Sequence, residues 1–141
     1  MKYFAYGSNM DIAQMAVRCH KATLLGSGLL AGYRFRIDGR GFATVDKEPS
    51  ASVLGLVWEL TPEDEANLDR FEGVPRFYTR ETFEVRHDER LVPMLIYVST
   101  DRLKGKPAPN YLERIVQAAQ EQGFGKSYVD QLTSWSKLIP A

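Results

Sequence analysis

Cysteine is nearly missing from the sequence, and histidine is scarce. The one cysteine, Cys19, cannot form an internal disulfide. The two histidines, His20 and His87, stand far apart, so no pair of His or Cys residues has a spacing typical of a metal site. We therefore predict that no metal is bound and that any catalytic group is a carboxylate, a hydroxyl or the backbone.

Long apolar runs and an excess of charge are also missing. Residues 1–7 hold no apolar segment of the length that a signal peptide or a membrane helix needs, which predicts a cytoplasmic protein. Eighteen Lys and Arg residues balance eighteen Asp and Glu residues. Proteins that bind a phosphate backbone or an anionic membrane use excess positive charge, so we expect neither nucleic acid nor a membrane as a partner.

The length of the chain fits one domain. At 141 residues it can bury a substantial core, and it is too short for two domains of ordinary size. We expect a single domain over residues 1–141 with one site, present as a monomer or a weak homodimer.

Apolar periodicity predicts an α+β fold. The patterns indicate strands over residues 2–6, 33–38, 53–58, 83–86 and 92–98, of which the last two form a hairpin. Helix signals begin near Asp11, at Thr61, at Asn110 and after Ser127, and Gly73 is expected to end the second helix. We expect the strands to share one antiparallel sheet.

The first predicted helix has one apolar face. Ile12, Met15, Ala16 and Cys19 recur at the spacing of a helix that buries one side. Cys19 is therefore interpreted as a core residue rather than a nucleophile.

The turn between the first strand and the first helix is a candidate anion site. It has the sequence Tyr6-Gly7-Ser8-Asn9. A glycine-containing turn before a helix points several N–H groups into one concavity, which suits a carboxylate or a developing oxyanion. Alternatively, Ser8 and Asn9 only cap the helix. No GxxxxGK[ST] motif is present, so a nucleotide phosphate is not predicted here.

Glu72 is the candidate proton carrier. It lies four residues after Leu68 and next to Phe71, and we expect it to share the inward face of the second helix with them. It also lies in the last turn, where the helix dipole is negative. Burial and the dipole both raise a carboxyl pKa, toward the roughly 6–7 that suits a general acid/base near neutrality. The alternative is a half-exposed glutamate at a frayed helix end.

Two segments taken together resemble the signatures of the γ-glutamylcyclotransferase family, whose relatives include AIG2-like proteins and γ-glutamylamine cyclotransferases. They are YFAYGSNM at residues 3–10 and LDRFEGV at residues 68–74, and weaker matches continue in order at residues 41–45, 54–58, 77–78 and 107–111. The resemblance implies a small, mixed, mainly antiparallel sheet that closes toward a barrel with flanking helices. It further implies that residues 6–9 hold the glutamyl head, that Glu72 is the acid/base, and that Tyr78 and Tyr111 lie near the substrate.

The implied reaction uses a small γ-glutamyl compound as its substrate. The free α-amine attacks the γ-amide, closes the five-membered lactam 5-oxoproline and expels an amine, without water or a cofactor. This chain is shorter between residues 33 and 42 and at its C-terminus than the animal glutathione-pathway members, where those stretches line the leaving-group side. The leaving group therefore stays open between an amino acid, an amine such as the ε-amine of lysine, and a γ-glutamyl-protected intermediate.

Two other classes of function remain as alternatives. One is a non-catalytic member of the same fold that binds a small ligand. The other is a hydrolase with Ser8 or Cys19 as its nucleophile, although neither residue has a histidine at a recognisable spacing and the sequence holds no GxSxG elbow.

Overall fold

The computed structural model describes residues 1–137 of the chain. Its strands are β1 (Lys2–Ala5), β2 (Thr23–Ile37), β3 (Ala43–Glu59), β4 (Tyr78–His87) and β5 (Arg90–Ser99). Its α-helices are α1 (Ile12–Arg18), α2 (Pro62–Glu72), α3 (Tyr111–Glu121) and α4 (Lys126–Thr133). Short 3-10 helices cover Ser8–Met10 and Ser134–Lys137. Within residues 1–137, no helix has the length and apolar character needed to cross a membrane.

The strands form a closed barrel in the order β1-β3-β2-β4-β5. Neighbouring strands are antiparallel except β1 and β5, which run parallel and close the barrel through the pair Tyr3 and Leu95. Helices flank this sheet. The predicted fold class, a mixed and mainly antiparallel sheet closed toward a barrel, is confirmed.

Strands β2 and β3 are much longer than the sequence predicted. They have 15 and 17 residues, whereas the apolar patterns at residues 33–38 and 53–58 cover only parts of them. Glycines interrupt the pattern, and two of them, Gly26 (φ 126°) and Gly32 (φ 82°), lie where the pairing register shifts. At Gly55, a Cβ atom would collide with the carbonyl oxygen of Ala5. These glycines form bulges and allow close approach inside continuous strands, so they do not end them.

Helix α1 buries less than its pattern predicted. Met15 and Cys19 are buried, but Ile12 is 48% exposed and Ala16 is also exposed. The helix has only seven residues, so a narrow edge of it meets the core. The prediction that Cys19 is a core residue is confirmed, whereas the wider apolar face is wrong.

Both ends of α2 are fixed where the sequence placed them. At the start, the Thr61 hydroxyl accepts a bond from the Asp64 N–H, and the Asp64 carboxylate accepts one from the Thr61 N–H, each at 3.2 Å. At the end, Gly73 adopts the left-handed conformation with φ 66°, which glycine tolerates best. Glu72 is therefore the last helical residue.

The last turns of α2 are tied to the barrel through Asp69. Its carboxylate accepts a bond from the Tyr97 hydroxyl of β5 at 2.6 Å. It also forms an ion pair with Arg80 of β4 at 2.8 Å. These two bonds hold the C-terminal end of the helix, and with it Glu72, in a fixed position against the sheet.

Candidate active site

A pocket of about 380 Å³ opens beside the end of α2. Its walls come from β1 and the turn after it, from the loop between β2 and β3, and from the starts of β4 and α3. All of the predicted site residues line it, and they are Tyr6, Gly7, Ser8, Asn9, Glu72, Tyr78 and Tyr111. Residues from widely separated parts of the sequence thus meet around one cavity.

The turn after β1 has N–H groups to offer. Residues Ser8–Met10 form a 3-10 helix in which Met10 N–H bonds to Gly7 O and Asp11 N–H bonds to Ser8 O, both at 3.0 Å. These two bonds leave the N–H groups of Gly7, Ser8 and Asn9 without an acceptor within the turn. They can therefore serve an anion in the pocket.

Asp11, rather than Ser8 or Asn9, caps α1. Its carboxylate accepts bonds from the N–H groups of Ala13 at 3.0 Å and Gln14 at 3.2 Å. The alternative in which Ser8 and Asn9 only cap the helix is therefore wrong. Both side chains face the pocket instead.

Gly7 gives the turn its close fit to the opposite wall. A Cβ atom built at this position would lie 3.3 Å from both the Ala43 Cβ and the Tyr111 hydroxyl. This is tighter than ordinary van der Waals contact. A side chain at residue 7 would therefore require Ala43 or the Tyr111 side chain to shift by a few tenths of an ångström.

Asn9 is the centre of a hydrogen-bond network at the base of the pocket. Its amide oxygen accepts bonds from Gln14 Nε2 at 3.1 Å and Arg18 Nη1 at 3.0 Å. Its amide nitrogen donates to the Tyr3 hydroxyl at 2.9 Å and to Glu72 Oε1 at 3.4 Å. Donors on one side and acceptors on the other fix the orientation of the amide.

Glu72 is half-buried in the pocket, and burial raises the pKa of its carboxyl to about 7. The guanidinium groups of Arg18 and Arg40 oppose this rise. Leu68 is buried as predicted, but Phe71 is 57% exposed, so the prediction that it shares the inward face is wrong. Adjacent helical residues are turned about 100° apart, which places Phe71 at the pocket mouth while Glu72 points inward.

The tyrosine hydroxyls in the pocket differ in whether their hydrogen is already donated to a carbonyl oxygen. Tyr6 donates to Tyr97 O at 2.5 Å, and Tyr78 donates to Ala43 O at 2.7 Å. The Tyr111 hydroxyl instead accepts a bond from Ala43 N–H at 3.1 Å, so its own hydrogen can be given to a ligand. Burial raises the pKa of all three hydroxyls, which keeps them protonated near neutral pH.

Two arginines in the wall were missed by the sequence analysis. Arg40 stacks over Phe77, with its guanidinium carbon 4.6 Å from the ring centroid, and it pairs with buried Asp38 at 3.3 Å. Arg18 stacks over Phe71 at 4.9 Å. No motif or spacing marks these residues, because the contacts that bring them to the pocket join distant parts of the chain.

The described residues offer little support for a metal site or a histidine-assisted nucleophile. No group of three or more His, Cys, Asp or Glu side chains in residues 1–137 is arranged to hold a metal ion. Neither histidine is among the residues that line the pocket, and His87 contacts Ser27 O at 2.8 Å on the far part of the barrel sheet. Ser8 Oγ accepts a bond from Gln14 Nε2 at 2.8 Å, and no histidine among the described residues lines the pocket to take the hydrogen of its hydroxyl.

Comparison with known proteins gives a family match. The sequence model of the AIG2-like family matches residues 52–132. The γ-glutamylcyclotransferases of Homo sapiens and Bos taurus are 25% and 26% identical to this chain over 142 and 144 residues. These alignments cover 92% and 94% of this chain, and 76% and 77% of the two relatives.

Solved structures show the same architecture. A γ-glutamyl cyclotransferase superposes with a TM-score of 0.87 at 25% identity, over 95% of this chain and 86% of that one. An uncharacterized protein from Homo sapiens superposes with a TM-score of 0.86 at 26% identity, over 94% and 86% of the two chains. The barrel and its helices are thus shared almost throughout the described chain.

Proposed function

The chain belongs to the AIG2-like family, and from this premise we propose that it is a γ-glutamyl cyclotransferase that releases 5-oxoproline. The observation that carries the proposal is the position of Glu72, a half-buried carboxyl with a pKa of about 7 in the same pocket as the turn at residues 7–9. The names of the two relatives above agree with it.

In the proposed reaction, the substrate supplies both the nucleophile and the electrophile. The α-amine nitrogen bonds to the γ-carbonyl carbon, the amide C–N bond breaks, and the proton lost by the amine is returned to the departing nitrogen. Because the attack is intramolecular, correct orientation can provide an effective molarity of about 10⁵–10⁸ M. The protein must therefore clamp the substrate and transfer protons from its α-nitrogen toward the departing nitrogen.

Glu72 fits the proton transfer in both directions. A free α-amine has a pKa of about 8, so it is largely ammonium at neutral pH and must lose a proton before it attacks. A carboxyl with a pKa of about 7 can accept that proton and later give it to the leaving nitrogen. A fully exposed glutamate, with a pKa near 4.3, would be a weaker base.

The turn suits the anionic parts of the substrate. The N–H groups of Gly7, Ser8 and Asn9 have no acceptor within the turn, and they can bind the α-carboxylate and the oxyanion that develops on the γ-carbonyl oxygen. The hydrogen of the Tyr111 hydroxyl is a further donor on the facing wall. Together these donors hold the glutamyl head with its amine near Glu72.

A substrate panel tests the proposal. We expect γ-glutamyl dipeptides or γ-glutamyl amines incubated with the protein to yield 5-oxoproline, measured by chromatography, and the ranking of the panel identifies the leaving group. Release of glutamate instead of 5-oxoproline would indicate a hydrolase. Saturable binding without any product would indicate a ligand-binding protein.

Replacement of Cys19 by alanine separates the thiol hypothesis from the proposed mechanism. Burial raises the pKa of the Cys19 thiol to about 12, and the residue packs in the core. We expect Cys19→Ala to lose about 1 kcal/mol of unfolding free energy through a small cavity and to keep its rate of 5-oxoproline release. Thermal melting and product formation measure the two effects. A folded but inactive variant would favour the thiol as nucleophile.

A further inference from the structure

Arg18 lies at the end of α1, beside both Asn9 and the pocket. We propose that Arg18 is a positioning residue for Glu72: it orients the Asn9 amide toward the carboxylate and places a positive charge beside it. The kinetic part of this inference rests on the proposed function, whereas the effect on Glu72 itself does not.

The first step is the orientation of the amide. Arg18 Nη1 donates to Asn9 Oδ1 at 3.0 Å, and Asn9 Nδ2 donates to Glu72 Oε1 at 3.4 Å. A guanidinium can only donate, so it can bond only to the oxygen of the amide. The amide nitrogen must then face the opposite side, where the carboxylate lies. Asn9 is 3% exposed, so water does not compete readily for these bonds.

The second step is the charge of Arg18. No carboxylate forms an ion pair with this guanidinium among the described residues, in contrast to Arg40, which pairs with Asp38. Arg18 is instead held by Asn9 and by the ring of Phe71, the residue directly before Glu72. Its last-turn position in α1 also favours a cation. Its positive charge therefore remains available to stabilise an ionised carboxylate nearby.

Few of the groups around Glu72 carry a charge that could stabilise its carboxylate. The titratable and charged groups that face it from the surrounding elements are Arg18, Arg40, Tyr3, Tyr6, Tyr78 and Tyr111. Arg114 of α3 lines the same pocket and pairs with Asp11 at 3.6 Å. Burial raises the pKa of the four hydroxyls, so they stay neutral through the range in which Glu72 titrates. Among the charged groups, Arg18 and Arg40 are the two that oppose the effect of burial on the pKa of its carboxyl.

The expected effect follows from the sign of this charge. Removing a nearby positive charge disfavours the ionised carboxylate, so Glu72 should titrate at a higher pH in Arg18→Met than in the parent. The proposed base is the ionised form, so the rise of kcat/KM with pH should also move to higher pH. At pH 6 we expect a loss of about tenfold in kcat/KM, which shrinks toward the alkaline plateau.

Three variants and two readouts test the inference on the full chain. Arg18→Met removes the charge, Arg18→Lys keeps it on a different donor, and Arg76→Met is the matched control, because Arg76 stacks over Phe77 near the mouth without bonding to Asn9. The Glu72 carboxyl is titrated by carbon NMR, with Glu72→Gln identifying its signal, and kcat/KM is measured against pH. Thermal melting checks that each variant is folded, and Arg18→Gln replaces the methionine variant if that one does not fold.

The outcomes separate this inference from the proposed function. A Glu72 midpoint that rises in Arg18→Met, returns toward the parent in Arg18→Lys and stays in place in Arg76→Met supports it. An unchanged midpoint in Arg18→Met, a lysine variant that titrates like the methionine variant, or an equal shift in Arg76→Met overturns it. The NMR titration needs no substrate, so it decides these outcomes even if no 5-oxoproline forms. The absence of 5-oxoproline would overturn the proposed function instead.

Discussion

Replacement of Glu72 by glutamine is expected to lower the rate of 5-oxoproline release by at least about 10²-fold. Glutamine keeps the size and the hydrogen-bonding ability of the side chain, so it can still accept the bond from Asn9. It cannot take up a proton from the α-amine or return one to the leaving nitrogen. The rate of product formation under saturating substrate measures this loss.

The same variant should stay folded, for an electrostatic reason. The pKa of Glu72 is raised in the folded state, so its protonation stabilises the fold at low pH, and this stabilisation is lost as the pH rises from about 4 through about 7. At pH 8 the ionised carboxylate weakens the fold, by a few kcal/mol at most. Glutamine removes this cost, so we expect Glu72→Gln to melt at the same or a higher temperature than the parent at pH 8.

A glutamate on the same helix provides the control. Glu63 is exposed in the first turn of α2, where it pairs with Lys21 and does not line the pocket. Glu63→Gln should keep the parent rate of 5-oxoproline release. If Glu72→Gln turns over as fast as Glu63→Gln, Glu72 is not the proton carrier and the proposed mechanism is wrong.

Methylation of the α-carboxylate of the substrate is expected to lower kcat/KM by about 10²-fold or more. The ester removes the negative charge that we place against the N–H groups of Gly7, Ser8 and Asn9, and loss of a comparable donor contact costs about 10²–10³-fold in other enzymes. The leaving group is unchanged in the ester, so the effect reports on the glutamyl head alone. Competition between the ester and the free acid for one enzyme sample measures it.

A change in the protein should produce the same loss. In Gly7→Val the new side chain enters the space next to the Ala43 Cβ and the Tyr111 hydroxyl, each only 3.3 Å from a Cβ at this position. Gly125→Ala is the control, because a Cβ there meets nothing within 4 Å.

Equal rates for the methyl ester and the free acid would show that the turn does not bind the α-carboxylate, even if Glu72 proves essential.

The local part of the fold was predictable from the sequence. The start and end of α2 were predictable because Thr61, Pro62 and Gly73 each act through their own backbone geometry. The extents of β2 and β3 were not predictable. Gly26 and Gly32 interrupt the apolar pattern, and the pairing across the sheet that continues through them is not visible in the sequence. Barrel closure was available only through the resemblance to a family, because the pairing of β1 with β5 leaves no local pattern.

The candidate site was predictable to a similar extent. The turn at residues 7–9 and the inward-facing Glu72 follow from a strand, a turn and a helix end, all of which are short-range features. Arg18 and Arg40 were missed because their stacking on Phe71 and Phe77 joins parts of the chain that meet only in the folded structure. The family signatures joined the two halves of the site, whereas the arginine contacts needed the structure.

The parallel contact of β1 with β5 has a consequence for how the chain reaches its working form. The Tyr6 hydroxyl meets Tyr97 O across 91 positions of sequence, whereas β2 with β3 and β4 with β5 are neighbours in the chain. Closing so long a loop costs more chain entropy than forming either hairpin. A partly folded chain that holds both hairpins would still lack the bond from the Tyr6 hydroxyl to Tyr97 O and the docked turn after β1. We therefore expect the pocket to form only when β1 docks between β3 and β5, and intermediates that precede this step to lack the site.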